Sequence, residues 1–438
     1  METYWHSVTL DKNLCKGCTN CLKLCPTQAI RVQKGRAKIL KERCIDCGEC
    51  IRVCPYHAKK AVADSLDMLQ QFKHSVALVA PAFYGQFSKT ENVNMVLSAL
   101  LDLGFDDVFE VARGAQVITE KTKELLASGE LLKPAISSAC PAVLRLIAIR
   151  FPNLIANVVP LKSPMEISAF QARREAVEKT GLKPEEIGIF FISPCAAKAT
   201  FVKGNYTVKK SEVDGVIPIK DICIKMSRTV NKIAEENVRQ LRKAGKSGVI
   251  WATSGGEAET SGAERYIAVD GIHNVINLFE EIEDGKMRDV DYVEALACPG
   301  GCVGGPLTTE NSFLARSKIQ RICRSLDDEM LPFDEQTNLF WDETLVYRSV
   351  MNLDPDINIA MQKMAMIEEL YSEFPKLDCG SCGSPSCRAL AEDIVRGYAK
   401  ETDCIFKLRE KVSALAQDML ELEGQKAWGT CAEKTEEN

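Results

Sequence analysis

Cysteine is the residue type in this chain with the most chemistry to offer: there are nineteen in 438 residues. Two runs near the start share one spacing, Cys15-x2-Cys18-x2-Cys21-x3-Cys25-Pro26 and Cys44-x2-Cys47-x2-Cys50-x3-Cys54-Pro55. A third group, Cys379-x2-Cys382-x4-Cys387-x16-Cys404, lies near the end. Between them Cys140, Cys195 and Cys298 follow apolar, strand-like runs, and Cys302 comes four residues after Cys298. Disulfide frameworks belong to short exported chains, and the start METYWHSVTL has no basic stretch leading into an apolar one. These sixteen cysteines therefore read as metal ligands.

The two N-terminal runs have the spacing of bacterial two-cluster ferredoxins, in which the fourth cysteine of each run serves the other cluster. Cys15, Cys18, Cys21 and Cys54 are expected to hold one 4Fe–4S cubane, and Cys44, Cys47, Cys50 and Cys25 the second. Two-residue gaps let three thiolates wrap one cubane, and Pro26 and Pro55 stop the chain continuing as a helix. Zinc is the competing metal, but its motifs rarely run through successive Cys-x2-Cys steps and close on Cys-Pro. Two clusters so placed make an electron relay. The C-terminal group resembles a small 4Fe–4S domain of electron-transfer and corrinoid proteins, although four thiolates also suit zinc.

The central cysteines stand in three loops, SSACPA (Cys140), SPCAAK (Cys195) and ACPGGCVGGP (Cys298 and Cys302). These resemble the signature loops of FeFe-hydrogenases, and VAPAF (79–83), ATSGG (252–256) and KSP (162–164) resemble other parts of that family. The resemblance implies an H-cluster: a cubane held by Cys140, Cys195, Cys298 and Cys302, with Cys302 bridging to a diiron subsite that carries CO, cyanide and a bridging dithiolate. It implies that Lys198 hydrogen-bonds one cyanide, since an ammonium is a strong donor to a buried anion. Pro81 and Ala82 then face the other cyanide, and Ser193, Pro194, Met165 and Leu296 surround the subsite. Gly300 and Gly301 let the chain turn tightly between two ligands.

The departures bear on the chemistry. Catalytic members carry a second cysteine before the first-loop ligand, which passes protons to the bridging amine. Here Ala139 stands there, and a methyl group exchanges no proton. Such members have methionine where this chain has Ser193 and Leu296, glutamate in place of Phe201, and glutamine in place of Met165, which Glu166 follows. A pair of relay glutamates reduces to Glu124, with Lys121 at the other place. Ligands kept and a proton path lost is the pattern of the sensory branch. The implied function is to bind hydrogen and interconvert it slowly with protons and electrons, then relay redox state through 4Fe–4S clusters to a redox or signalling protein. Maturation enzymes would supply the subsite. Two other readings stay open. One is a ferredoxin-linked catalytic hydrogenase with another proton route, through Glu166 or water. The other is an electron-transfer or cluster-assembly protein that keeps the fold and lacks the diiron subsite.

Positioning these loops calls for an α/β fold. Runs such as HSVALV alternate with helical stretches such as NMVLSALLDLGF, and open α/β sheets build sites at the carboxyl ends of their strands. The expected order is an α+β ferredoxin-like domain (1–62), a two-lobed H-cluster domain (63–365), a small helical 4Fe–4S domain (366–404), and an amphipathic helix with a polar tail (405–438). Ile405, Leu408, Val412, Leu415, Met419 and Leu422 recur at heptad spacing, which predicts a homodimer through 405–424 or a helix lying on its own protein. The net charge of −6 leaves no footprint for nucleic acid. No apolar run reaches the length of a membrane span. A cytoplasmic protein with neither nucleic-acid nor membrane partners is expected. Cys223, Cys323 and Cys431 join no motif, and His6, His57, His74 and His273 show no ligand spacing.

Overall fold

The computed structural model describes residues 5–87, 92–204, 206–227, 230 and 235–429; Cys431 lies outside them. Along the described chain run strands β1 (Val8–Leu10), β2 (Ile30–Gln33), β3 (Arg36–Ile39), β4 (Lys59–Ala61), β5 (His74–Val79), β6 (Asp107–Glu110), β7 (Ala135–Ile136), β8 (Ile187–Ser193), β9 (Gly215–Pro218), β10 (Tyr266–Asp270) and β11 (Tyr292–Leu296). The chain forms two compact units: Met1–Asp11 with Lys41–Val350, and Lys12–Leu40 with Met351–Asn438. The first cysteine run thus folds with the C-terminal segment, and the second with the central one.

The larger unit is built on two parallel sheets. In the first, ordered β6-β5-β8-β9, β8 (IGIFFIS) is buried along its whole length, as a parallel strand covered on both faces must be. Alternate residues serve opposite faces. Ala77, Val79, Phe190 and Ile192 pack with the helices Val93–Asp102 and Ile219–Met226. Val76, Leu78, Ile189 and Phe191 pack with the helix Pro164–Thr180. The second sheet is ordered β10-β11-β7. It is covered by the helices Pro141–Arg150 and Ile272–Glu283 on one face and Val111–Ser128 on the other. The fold is α/β with two lobes, as the sequence implied.

The two N-terminal cysteine runs fold alike. Gly17 and Asp46, each two residues past the first cysteine of its run, have φ of +70° and +53°. Gln28 and His57, each three past the last cysteine, have +51° and +49°. Each last-cysteine sulfur accepts the backbone N–H four residues on, from Ala29 to Cys25 at 3.2 Å and from Ala58 to Cys54 at 3.3 Å. Non-glycine residues enter the left-handed region only under local constraint, so the matched positions mark one fold used twice.

In the smaller unit β2 and β3 form a hairpin turned by Lys34 and Gly35, both at positive φ, the requirement of a type I′ turn. Ile367, Phe374, Leu390 and Ala391 form an apolar cluster with Cys387 and Cys404. The final helix, Ile405–Gly429, buries none of the expected seam: Ile405, Leu408, Val412, Leu415, Met419 and Leu422 are all exposed. That overturns the reading in which the helix lies on its own protein. Among the described residues no helix is long and apolar enough to cross a membrane.

Candidate functional site

Three loops leave the carboxyl ends of β7, β8 and β11 and bring Cys140, Cys195, Cys298 and Cys302 together, close enough that each thiolate feels others of the set. In the first loop the Ser138 hydroxyl donates to the Leu161 carbonyl at 2.8 Å, and Cys140 caps the helix Pro141–Arg150. In the second, the Cys195 N–H donates to Ser193 Oγ at 3.0 Å. The helix Ala196–Gly204 then starts and carries Lys198 inward. The third loop needs its glycines. Gly301 lies at φ +94°, and a Cβ there would sit 2.5 Å from the Ser254 nitrogen. A Cβ on Gly305 would sit 2.2 Å from the Pro194 carbonyl oxygen.

Burial pushes the Cys140 thiol up, and the charge of Cys298 adds to it. Cys302 is pushed up to about 12 by burial, against the pull of Lys198. Burial raises Cys195 as well, with Cys298 and Cys140 adding and Lys198 opposing. Cys140, Cys195 and Cys302, whose thiols resist ionisation so close to one another and to Cys298, belong to a donor set that cationic iron would relieve.

Beside them lies a small pocket lined by Ala139, Met165, Lys198, Phe201, Ser163 and Trp341 among others. Ser163 Oγ is buried and has no hydrogen-bond partner among the described residues. A small group with polar edges fits such a wall, and the residues present suit an H-cluster. Ala139, Met165 and Lys198 therefore share one pocket. Pro81 and Ala82 are buried at the start of a short 3-10 turn, and Ser193, Pro194 and Leu296 stand at the ends of β8 and β11. Lys121 and Glu124 pair at 2.6 Å on the helix Val111–Ser128, with Glu124 well exposed. The Glu166 carboxylate accepts the Ser211 hydroxyl at 2.7 Å and the Glu212 N–H at 3.0 Å, outside the pocket wall.

Two buried glutamates and their partners escape a reading of the sequence. Glu257 accepts the Ser137 hydroxyl at 2.7 Å and the Tyr292 hydroxyl at 2.6 Å, and the Ala139 N–H donates to Ser137 Oγ at 3.2 Å. Glu294 accepts the N–H groups of Gly255 (3.0 Å) and Ala258 (2.8 Å). Burial raises Glu257 to about 7, while Tyr292, Ser137 and Lys198 pull it down. Glu294 rises to about 8 through burial and the Glu257 charge. The one signal in the sequence was a glutamate inside the apolar run YVEALAC.

Arg52, between the last two cysteines of the second run, reaches this site. Its guanidinium donates to the Gly304 carbonyl at 3.1 Å. Burial opposes its charge, but the Cys298 thiolate and Glu49 hold it well above its ordinary value. A Cβ on Gly48 would sit 2.4 Å from Pro306. The second run and the third loop are in direct contact.

Residues 73–264 and 258–306 match the iron-only hydrogenase large subunit, C-terminal domain. Residues 7–55 match a 4Fe–4S dicluster domain, and 374–406 an Fe–S cluster family. The chain is 25% identical over 288 residues to iron hydrogenase 1 of Clostridium pasteurianum, covering 53% of this chain and 50% of that protein, so it spans about half that relative's length. It is 25% identical over 362 residues to the periplasmic [Fe] hydrogenase large subunit of Nitratidesulfovibrio vulgaris, covering 68% and 86%. Among solved structures, an FeFe-hydrogenase HydA1 of Chlamydomonas reinhardtii aligns with a TM-score of 0.45 and 18% identity, over 72% of this chain and 91% of that one.

Proposed function

Since the chain belongs to the iron-only hydrogenase family, we propose that it is a sensory-type FeFe-hydrogenase, one that binds hydrogen and slowly interconverts it with protons and electrons. Its redox state passes through 4Fe–4S clusters to a redox or signalling protein in the cytoplasm. Cys140, Cys195, Cys298 and Cys302 would hold the cubane of an H-cluster, with Cys302 bridging to the diiron subsite. Lys198 would donate to one cyanide, Pro81 and Ala82 would face the other, and Ser193, Pro194, Met165 and Leu296 would close around the subsite. When bound, that group supplies the metal centre at which hydrogen is split or formed.

The observation that carries the reading is Ala139 in the wall of the pocket that Lys198 also lines. A positioned acid or base speeds proton transfer by about 10²–10⁴-fold, and alanine offers none. The polar groups linked to the Ala139 backbone are Ser137 Oγ, which accepts its N–H, and Glu257, which accepts the Ser137 hydroxyl. Ser137 can hand on a proton only by giving up its own to Glu257, and Tyr292 holds that carboxylate in place. Such a chain is slower than an acid at the pocket wall. It also supports a second reading, a ferredoxin-linked hydrogenase whose protons leave by Glu257. Turnover separates the two.

Arg52 supports a relay, because it ties the second cysteine run to the Cys298 loop. The exposed seam of the last helix supports a homodimer through 405–424. Maturation enzymes would insert the diiron subsite. Hydrogen uptake and evolution by matured protein, set against a fast FeFe-hydrogenase assayed alongside, tests the proposal: rates lower by orders of magnitude support it, and comparable rates favour the catalytic reading.

A further inference from the structure

We propose that the C-terminal cysteine motif is the outer terminal of the electron relay, clamped against the first cysteine run by Arg31 and Asp393 so that its cluster exchanges electrons with the cluster of that run. The inference rests on the reading that both motifs hold 4Fe–4S clusters, and it adds where the last cluster stands.

Arg31 lies on β2, just past Cys25. Its Nε and Nη2 donate to the two carboxylate oxygens of Asp393 at 2.5 and 3.0 Å, and both side chains are buried. Its Nη1 donates to the carbonyls of Gln28 and Ile30. Asp393 stands on the helix Cys387–Val395, which begins at one ligand. It also accepts, at 2.9 Å, the hydroxyl of Ser384, which lies between Cys382 and Cys387. A buried ion pair persists only where geometry and further hydrogen bonds satisfy both partners, and here both are satisfied. One carboxylate thereby fastens the ligand loop of the C-terminal motif to the strand that follows the first run.

The backbones meet as well. The Val32 N–H donates to the Gly383 carbonyl at 2.8 Å. A Cβ on Gly383 would lie 1.8 Å from the Val32 oxygen, so only glycine lets the two loops touch. A Cβ on Gly380 would lie 3.4 Å from Lys23, 3.5 Å from Leu22 and 3.7 Å from Thr19. Thr19 follows Cys18, and Leu22 and Lys23 follow Cys21, while Gly380 stands between Cys379 and Cys382. Even a methyl group at Gly380 would touch that run, so the two ligand loops are close neighbours. Within the C-terminal set, Cys387 and Cys404 are buried and Cys379 is exposed. That puts the edge open to a partner on the side of Cys379. The transfer is a single electron: one reduced cubane loses it as the other gains it, and no bond forms or breaks.

The test uses the full chain, reconstituted with iron and sulfide and reduced with dithionite, and reads low-temperature electron paramagnetic resonance. Cys387→Ser with Cys404→Ser removes about four iron atoms per chain and leaves the two N-terminal clusters and the central cubane as they are in the wild type. We expect the wild-type spectrum to carry an added splitting and faster spin relaxation that the variant loses. Arg31→Gln should keep the full iron content and weaken the splitting. A wild-type spectrum equal to that of the variant plus one isolated cluster overturns the proposal. Zinc at the C-terminal motif overturns it too, and leaves the hydrogen-activating reading intact, because that reading is judged by infrared bands. If the double variant does not fold, Cys379→Ser at the exposed ligand gives the same comparison.

Discussion

The Ser137 hydroxyl donates to the Glu257 carboxylate at 2.7 Å, in a place that is buried on all sides. Glu257→Gln preserves the size of the side chain and removes the proton site. Hydrogen turnover should fall by about 10²-fold or more, while the infrared bands of the matured protein stay where they were. The pH dependence has a definite sign. With Glu257 raised to about 7, it is protonated and cannot accept a proton at about pH 6, and it is ionised and can accept one at about pH 8. Hydrogen oxidation should therefore rise across that interval, hydrogen evolution should fall, and the glutamine variant should show neither limb.

Ala139→Cys puts a titratable group back into the pocket wall. Turnover should rise, and stay well short of a fast hydrogenase, because Phe201 still lines the pocket and Lys121 is engaged with Glu124 at the surface. Gas chromatography of hydrogen evolved by wild type and variant at equal subsite occupancy measures the gain. No gain at all would mean that proton supply at this wall is not what limits the rate.

Lys198→Ala takes a charged donor from the pocket. Loss of such a bond to a buried anion costs about 1.5–3 kcal/mol, so the variant should retain the diiron subsite more weakly. Infrared bands unchanged in position and intensity would remove Lys198 from that role.

The last helix carries the test of association. Val412→Asp with Leu415→Asp puts two charges into the exposed seam and should convert a dimer to a monomer in solution scattering. A wild-type chain that is monomeric at micromolar concentration would end this idea.

How much of this was legible in the sequence depended on distance along the chain. The cysteine runs are local, and their spacing alone pointed to the clusters. The buried character of β8 was plain from IGIFFIS, an unbroken apolar run. Ser137 and Glu257 are 120 residues apart, and Arg31 and Asp393 are 362 apart. No periodicity links such pairs, and each of these residues taken singly looks like an ordinary surface group. Glu166 was a candidate for the proton route because it follows Met165, but its helix turns the carboxylate toward Ser211 and Glu212 instead. The last helix could be read as a helix, whereas whether its seam was covered could be seen only in the fold.

An H-cluster held in this fold should react with hydrogen and turn over slowly. Infrared spectroscopy of the matured protein, cycled between hydrogen and argon, tests it most directly. CO and cyanide stretches should shift reversibly with the gas and persist long enough for each state to accumulate. A protein replete in iron that shows no such bands, or bands indifferent to hydrogen, would contradict it.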